Sequence, residues 1–117
     1  MHELSLVEEI FRIATEQSAG RPVLKVVMRV GALTCVMPEA LQFCFDSGKA
    51  DTVLAGAMLV IEPVAGRAHC NDCGNEFAID ELYDICRCGS FDKRIVQGQE
   101  LIVQTLEFGA SLQHTGD

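Results

Sequence analysis

Apolar residues recur at helical spacing from the start of the chain. Leu4, Val7, Phe11 and Ala14 form a stripe that Ile10 widens, and Glu8, Glu9, Arg12 and Glu16 fall on the other side. The pattern predicts an amphipathic helix over residues 4–17. Glu3, Glu8 and Glu9 suit the positive end of its dipole, and Ser18-Ala19-Gly20-Arg21-Pro22 stops it. At Val23 the period changes to two: Leu24, Val26, Met28 and Val30 share one face, and Lys25 and Arg29 flank Val27 on the other. This predicts a strand from Val23 to Gly31 in a sheet with one solvated face. Pro38 suits the first position of a second helix over 38–49, with Leu41, Cys44, Phe45 and Gly48 along one side. Ala57 to Pro63 reads as a strand ended by its proline. Strand-like residues return at Arg94-Ile95-Val96 and from Leu101 to Leu106.

Between these strands lies a segment with a different pattern, residues 65–94, entered at Gly66 and left near Gly89-Ser90. The expected architecture is α+β: two helices on a small three-stranded sheet, with a module inserted before the last strand whose paired cysteines, Cys70 with Cys73 and Cys86 with Cys88, make it zinc-ribbon-like. Residues 1–64, completed by 95–110, form one expected domain and 65–94 the module. Residues 111–117 lack an apolar pattern and are expected to form a disordered tail.

Composition narrows the function. The chain has 117 residues, 49% of them hydrophobic, which suits one compact folded unit with a small embellishment. No apolar run approaches the ~20 residues of a membrane helix, and the N-terminus lacks a signal-peptide pattern, so a cytoplasmic location without membrane association is expected. The net charge of −8, with nine scattered Lys and Arg, argues against nucleic-acid binding. In a reducing compartment, clustered cysteines read as metal ligands or redox thiols before disulfides.

Four of the six cysteines fall in two close pairs, Cys70-Asn71-Asp72-Cys73-Gly74 and Cys86-Arg87-Cys88-Gly89. Zn2+ takes four thiolates in a tetrahedron, and a glycine after each pair allows the tight turn that aims both sulfurs at one ion. A module of this size cannot bury enough apolar surface to hold itself together, so a metal would replace the missing core. Four thiolates leave no open coordination position, which makes such a site structural. The second pair is CxC. An extended i, i+2 pair spans about 6.6 Å between Cα atoms, so a local bend is required, and His69 is a substitute ligand for Cys86. A redox role is disfavoured because the first pair does not open a helix after a strand. Cys35 and Cys44 lie outside the cluster, and Cys44 is expected to pack in the core.

The first residues offer a second metal site. A residue as large as His2 disfavours removal of Met1, which leaves a free α-amine beside it. That amine, the His2 amide nitrogen and the His2 imidazole can close two chelate rings on one ion, a nitrogen-rich set suited to Ni2+ or Cu2+.

The combination of Met1-His2-Glu3 before Leu4-Ser5-Leu6-Val7, the strand ending at Val30-Gly31, Pro38-Glu39-Ala40-Leu41, the late cysteine pairs and Gly98-Gln99-Glu100-Leu101 resembles the HypA/HybF family of nickel metallochaperones, which mature NiFe hydrogenases. The resemblance runs from Met1 to about Phe108. It implies transported Ni2+ held by Met1, His2 and Glu3, with early backbone contributing, and structural Zn2+ on Cys70, Cys73, Cys86 and Cys88. It implies no enzymatic turnover. The partners it implies are the GTPase HypB and the hydrogenase large subunit, with urease maturation factors in some organisms. The chain could also form a homodimer by exchanging the inserted module between protomers. The family usually has CxxC at both pairs, so the CxC departs from it. The alternative reading is a zinc-ribbon interaction or scaffold module without nickel chemistry.

Overall fold

The computed structural model describes residues 2–110; Met1 and the expected tail at 111–117 lie outside them. The elements run α1 (Glu3–Ser18), β1 (Val23–Gly31), a 3-10 turn (Ala32–Thr34), α2 (Pro38–Gly48), β2 (Met58–Val64), β3 (Arg67–Cys70), β4 (Glu76–Ala78), β5 (Lys93–Gln97) and β6 (Leu101–Phe108). Two three-stranded sheets form, in the orders β2-β1-β6 and β4-β3-β5. This is the expected α+β arrangement of two helices and small sheets. Among the described residues no helix is long and apolar enough to cross a membrane.

The chain divides into two compact units. Among the described residues the first comprises 2–28, 36–61 and 103–110. In it α1 buries Leu6, Val7, Ile10, Ala14 and Ser18. The buried stripe therefore runs through Leu6, and Leu4, in the first turn, stays 49% exposed. On the outer side Arg12 pairs with Glu9 and, at 2.8 Å, with Glu16. The helix ends where Ala19 turns left-handed at φ 51°, with Gly20 following at φ 83°. In α2, Pro38 opens the helix, and Leu41 and Phe45 are fully buried. The rings of Phe11 and Phe45 meet at 5.5 Å and 60°, an aromatic contact that seats α1 on α2. In β1, Val23, Val26, Val27 and Met28 are buried, but Leu24 is exposed despite its place in the apolar alternation. Proline does not end β2. Pro63 lies inside it, which an edge strand tolerates because its N–H can face away from the ladder.

The second unit comprises Arg29–Cys35 and Glu62–Ile102. Antiparallel strands β4, β3 and β5 frame it, with His69 opposite both Glu76 and Arg94. Leu33, Ala68 and Ile79 form a small buried cluster, against which Phe77 and Ile95 pack. Backbones approach closely around it. A Cβ on Gly31 would lie 2.0 Å from the Gly98 carbonyl oxygen, and one on Gly98 would lie 2.7 Å from the Gly66 Cα. The Gly31 and Leu33 N–H groups donate to the carbonyls of Glu100 and Gly98, at 2.7 and 2.8 Å.

Candidate metal centre

The two cysteine pairs fold as two turns of related design. In the first, the Cys70 N–H donates to the Asn75 carbonyl at 2.8 Å and the Gly74 N–H returns to the Cys70 carbonyl at 3.0 Å. In the second, the Cys86 N–H donates to the Ser90 carbonyl at 3.2 Å and the Gly89 N–H returns to the Cys86 carbonyl at 2.8 Å. Gly74 and Gly89 adopt φ 81° and 91°, a left-handed conformation that costs other residues about 1–2 kcal/mol. The missing residue of the CxC pair is thus absorbed by tightening: the returning bond closes over three residues instead of four. Cys86 and Cys88 are in a turn, and the separation of an extended pair never arises.

This folding gathers the four sulfurs. Cys70 Sγ lies 3.7 Å from Cys88 Sγ and Cys73 Sγ lies 3.5 Å from Cys86 Sγ. All four lie within 4.8 Å of one another. Zn–S bonds of about 2.3 Å in a tetrahedron place sulfurs about 3.8 Å apart, so the cluster fits a four-thiolate zinc site. Cys70 and Cys86 are buried, and Cys73 and Cys88 are exposed. The Cys73 N–H also donates to Cys70 Sγ at 3.4 Å.

The electrostatics favour a divalent cation among these sulfurs. The Cys73 N–H, helped by the Asp72 N–H and the neighbouring thiols, brings the Cys70 thiol down to about 7. At Cys73, the Asn75 N–H favours the thiolate, but hydrogen bonding with Cys86 and desolvation raise the group overall. At Cys88, the Ser90 N–H likewise favours the thiolate, yet bonding with Cys70 and Cys86 and desolvation push it up to about 12. Ionising one sulfur therefore opposes ionising the others. A divalent cation removes that opposition and makes four thiolates compatible.

Polar residues lace the two turns together. Asn71 donates from its backbone to the Asp92 carbonyl at 2.9 Å and from its side chain to Asp92 Oδ1 at 3.0 Å. The Ser90 hydroxyl donates to Asp72 Oδ2, and Ser90 Oγ accepts the Asp92 N–H at 3.0 Å. Sequence reasoning passed over these four residues. The signal available was their position: Asn71 and Asp72 fill the first turn, and Ser90 and Asp92 follow the second.

His69, considered as a substitute ligand, is partly buried on β3, where it stands opposite Glu76 and Arg94 in the strand register. Among the described residues, the group able to hold a metal consists of the four cysteines alone. Cys35 is exposed in a left-handed conformation at φ 64°, and Cys44 is half-buried on α2.

Of the three N-terminal residues, Met1 lies outside the described residues. His2 is exposed and extended, at φ −80° and ψ 131°, and caps α1, its carbonyl accepting the Leu6 N–H at 3.1 Å. Glu3 Oε2 accepts the Met37 N–H at 3.0 Å, a bond that holds the Glu3 carboxyl below its ordinary value. Met37 caps α2. Sequence reasoning missed it, because a main-chain donor leaves no residue signature.

A family model described as hydrogenase/urease nickel incorporation, metallochaperone, HypA matches residues 1–108. A hydrogenase maturation factor HypA from Geobacter metallireducens is 44% identical over 108 residues, covering 92% of this chain and 98% of that protein. Its counterpart from Rippkaea orientalis is 43% identical, covering 92% and 95%. The solution structure of the Ni metallochaperone HypA from Helicobacter pylori shares the fold, with a TM-score of 0.66 at 24% identity over 95% of this chain and all of that one. A second HypA solution structure gives 0.68 at 26% identity, covering 95% and 98%.

Proposed function

The chain belongs to the HypA family of hydrogenase and urease nickel-incorporation metallochaperones, and we propose that it carries Ni2+ at its N-terminus and passes it, without turnover, to a NiFe hydrogenase large subunit during maturation. Membership of the maturation-factor family, at 44% identity along nearly the whole chain, carries this reading. The chemistry of the first residues supports it. His2 is exposed at the start of α1, where its imidazole and amide nitrogen, with the Met1 amine, form the nitrogen donor set that Ni2+ favours. Glu3 contributes backbone, and its carboxylate holds the start of α2 through Met37. A set of exposed ligands suits ligand exchange into an apo-enzyme, and the need for unprotonated donors makes affinity fall on acidification.

Cys70, Cys73, Cys86 and Cys88 hold a structural Zn2+ in this proposal, with four thiolates and no open position. The module then supplies a fixed surface for partners: the GTPase HypB, the hydrogenase large subunit, and urease maturation factors where urease is present. The protein works in the cytoplasm, and a homodimer is compatible with these roles. The test is nickel titration of untagged protein beside His2→Ala and a variant with one residue added before Met1. Both changes are expected to abolish the site. Equal Ni2+ binding by all three proteins excludes it.

A further inference from the structure

The second unit carries an apolar cleft that neither metal reading uses. It has a volume of about 400 Å3 and is lined by Leu33, Leu82 and Tyr83 together with Asp80, Glu81 and Cys35. No basic side chain is among its lining residues. Leu82 is 53% exposed and Tyr83 74%. Apolar groups gathered at one exposed place mark interaction sites more often than scattered ones do.

The turn that presents them is braced from within. Asp84 Oδ2 accepts the N–H groups of Asp80 and Glu81 at 2.8 and 3.1 Å, and the Asp84 N–H donates to the Glu81 carbonyl at 3.1 Å. One end is anchored by Ile79, which is 2% exposed and whose N–H donates to the Gly66 carbonyl at 3.0 Å. These bonds come from the Asp84 carboxylate and from main chain, so the carboxylates of Asp80 and Glu81 are not needed for the turn's shape. The turn holds its form before any partner arrives, which reduces the ordering cost of binding.

An apolar wall beside two carboxylates suits a long side chain with an aliphatic stem and a cationic end. We propose that this cleft docks an arginine-bearing segment of a partner protein, with the stem against Leu33 and Leu82, the guanidinium bonded to Asp80 and Glu81, and its plane on the Tyr83 ring. Arginine fits better than lysine because it bonds carboxylates bidentately and stacks on aromatic faces. The net charge of −8 favours approach of a basic partner over an acidic one. The proposal does not depend on where nickel is held, and its test needs no nickel.

Isotope-labelled, zinc-loaded full-length protein is titrated with three capped tripeptides, Leu-Arg-Leu, Leu-citrulline-Leu and Leu-Glu-Leu, and followed by amide chemical shifts. The arginine peptide is expected to give saturable shifts confined to Leu33, Cys35 and the 80–83 turn. Citrulline keeps the shape and loses the charge, so that peptide is expected to bind about tenfold more weakly, and the glutamate peptide not at all. A double variant, Asp80→Asn with Glu81→Gln, is expected to weaken the arginine peptide by a similar factor while its other amide shifts match the parent. Equal binding of the arginine and citrulline peptides overturns the proposal, as does indifference to the double variant or shifts spread over the acidic surface. Signals at the cleft that depend on protein concentration without peptide would assign it to a second copy of the chain and overturn it too.

Discussion

The carboxylate of Glu3 accepts the backbone N–H of Met37 at 3.0 Å, joining the first residue of α1 to the residue that caps α2. Helix starts leave main-chain donors without partners, and a carboxylate there satisfies both the donor and the helix dipole. Glu3 is therefore committed to holding two helix starts together, immediately beside His2.

Glu3→Gln keeps an oxygen that can accept the Met37 N–H, and Glu3→Ala removes it. Glu3→Gln, which keeps the acceptor but loses the charge, is expected to melt slightly below the parent protein, and Glu3→Ala lower still with frayed starts to both helices. Thermal unfolding by circular dichroism and amide exchange at Met37 check this. Under nickel, the glutamine variant should keep the parent's absorption spectrum, since the role assigned to the side chain is to accept a hydrogen bond.

Gly31 is required for a different reason. A Cβ there would sit 2.0 Å from the Gly98 carbonyl oxygen and 2.8 Å from the Gln99 nitrogen, both main-chain atoms that cannot swing aside. Gly31→Ala is expected to destabilise the second unit by about 3 kcal/mol or more. Gly56→Ala serves as the control: a Cβ there meets nothing within 4 Å, so a change within about 0.5 kcal/mol is expected. Denaturant unfolding followed by fluorescence of the single Tyr83, in the second unit, separates the two.

Much of this architecture was legible because local periodicity and burial coincide. The strand expected from Val23 to Gly31 is β1, and Pro38 opens α2. The cysteine pairs were legible as one cluster because spacing and following glycines restrict the turns available. Other features depend on contacts distant in sequence. Leu4 and Leu24 carry the right periodicity, yet both are exposed, since hydrophobicity does not show which end of a stripe will be covered. β3 and β4 are too short and too polar to announce themselves as strands. Nothing in the residue pattern near Gly31 and Leu33 indicated packing against Gly66, Ile79 and Gly98, because close backbone approach is a property of the assembled chain. At the N-terminus the chelating pattern of His2 beside the α-amine is a feature of the sequence alone, whereas the Met37 donor belongs to the fold.

Thiol chemistry tests the zinc cluster. With zinc bound, Cys35 is the exposed thiol outside the cluster, and Cys44 is half-buried. Iodoacetamide is expected to modify Cys35 first and Cys44 slowly, with the four cluster cysteines protected. A chelator should release one zinc per chain and open all four to alkylation, as read by mass spectrometry. Cys88→Ser is expected to lower zinc content and loosen β3, β4 and β5. Early alkylation of Cys70 or Cys73 in the zinc-loaded protein would argue for a free redox pair instead.

Asp84 gives the second unit a pH dependence of known sign. Its carboxyl is held below the ordinary aspartate value by the N–H groups of Asp80 and Glu81, with Lys93 adding attraction. A carboxyl depressed in the folded state binds its proton more readily in the unfolded state. Its stabilising effect is therefore complete above the ordinary aspartate range and disappears as pH falls through the lower, folded-state value. The window lies on the acid side, and neutral pH is on the plateau. Asp84→Asn retains an acceptor oxygen without the charge, so it is expected to be less stable than the parent at neutral pH and to converge with it in acid. Asp84→Ala loses the acceptor as well and should expose the Asp80 and Glu81 amides to rapid exchange. Denaturation midpoints measured across the acid range, with exchange at those two amides, decide it. A constant difference between Asp84→Asn and the parent at every pH would show that the charge of Asp84 contributes nothing to bracing the turn.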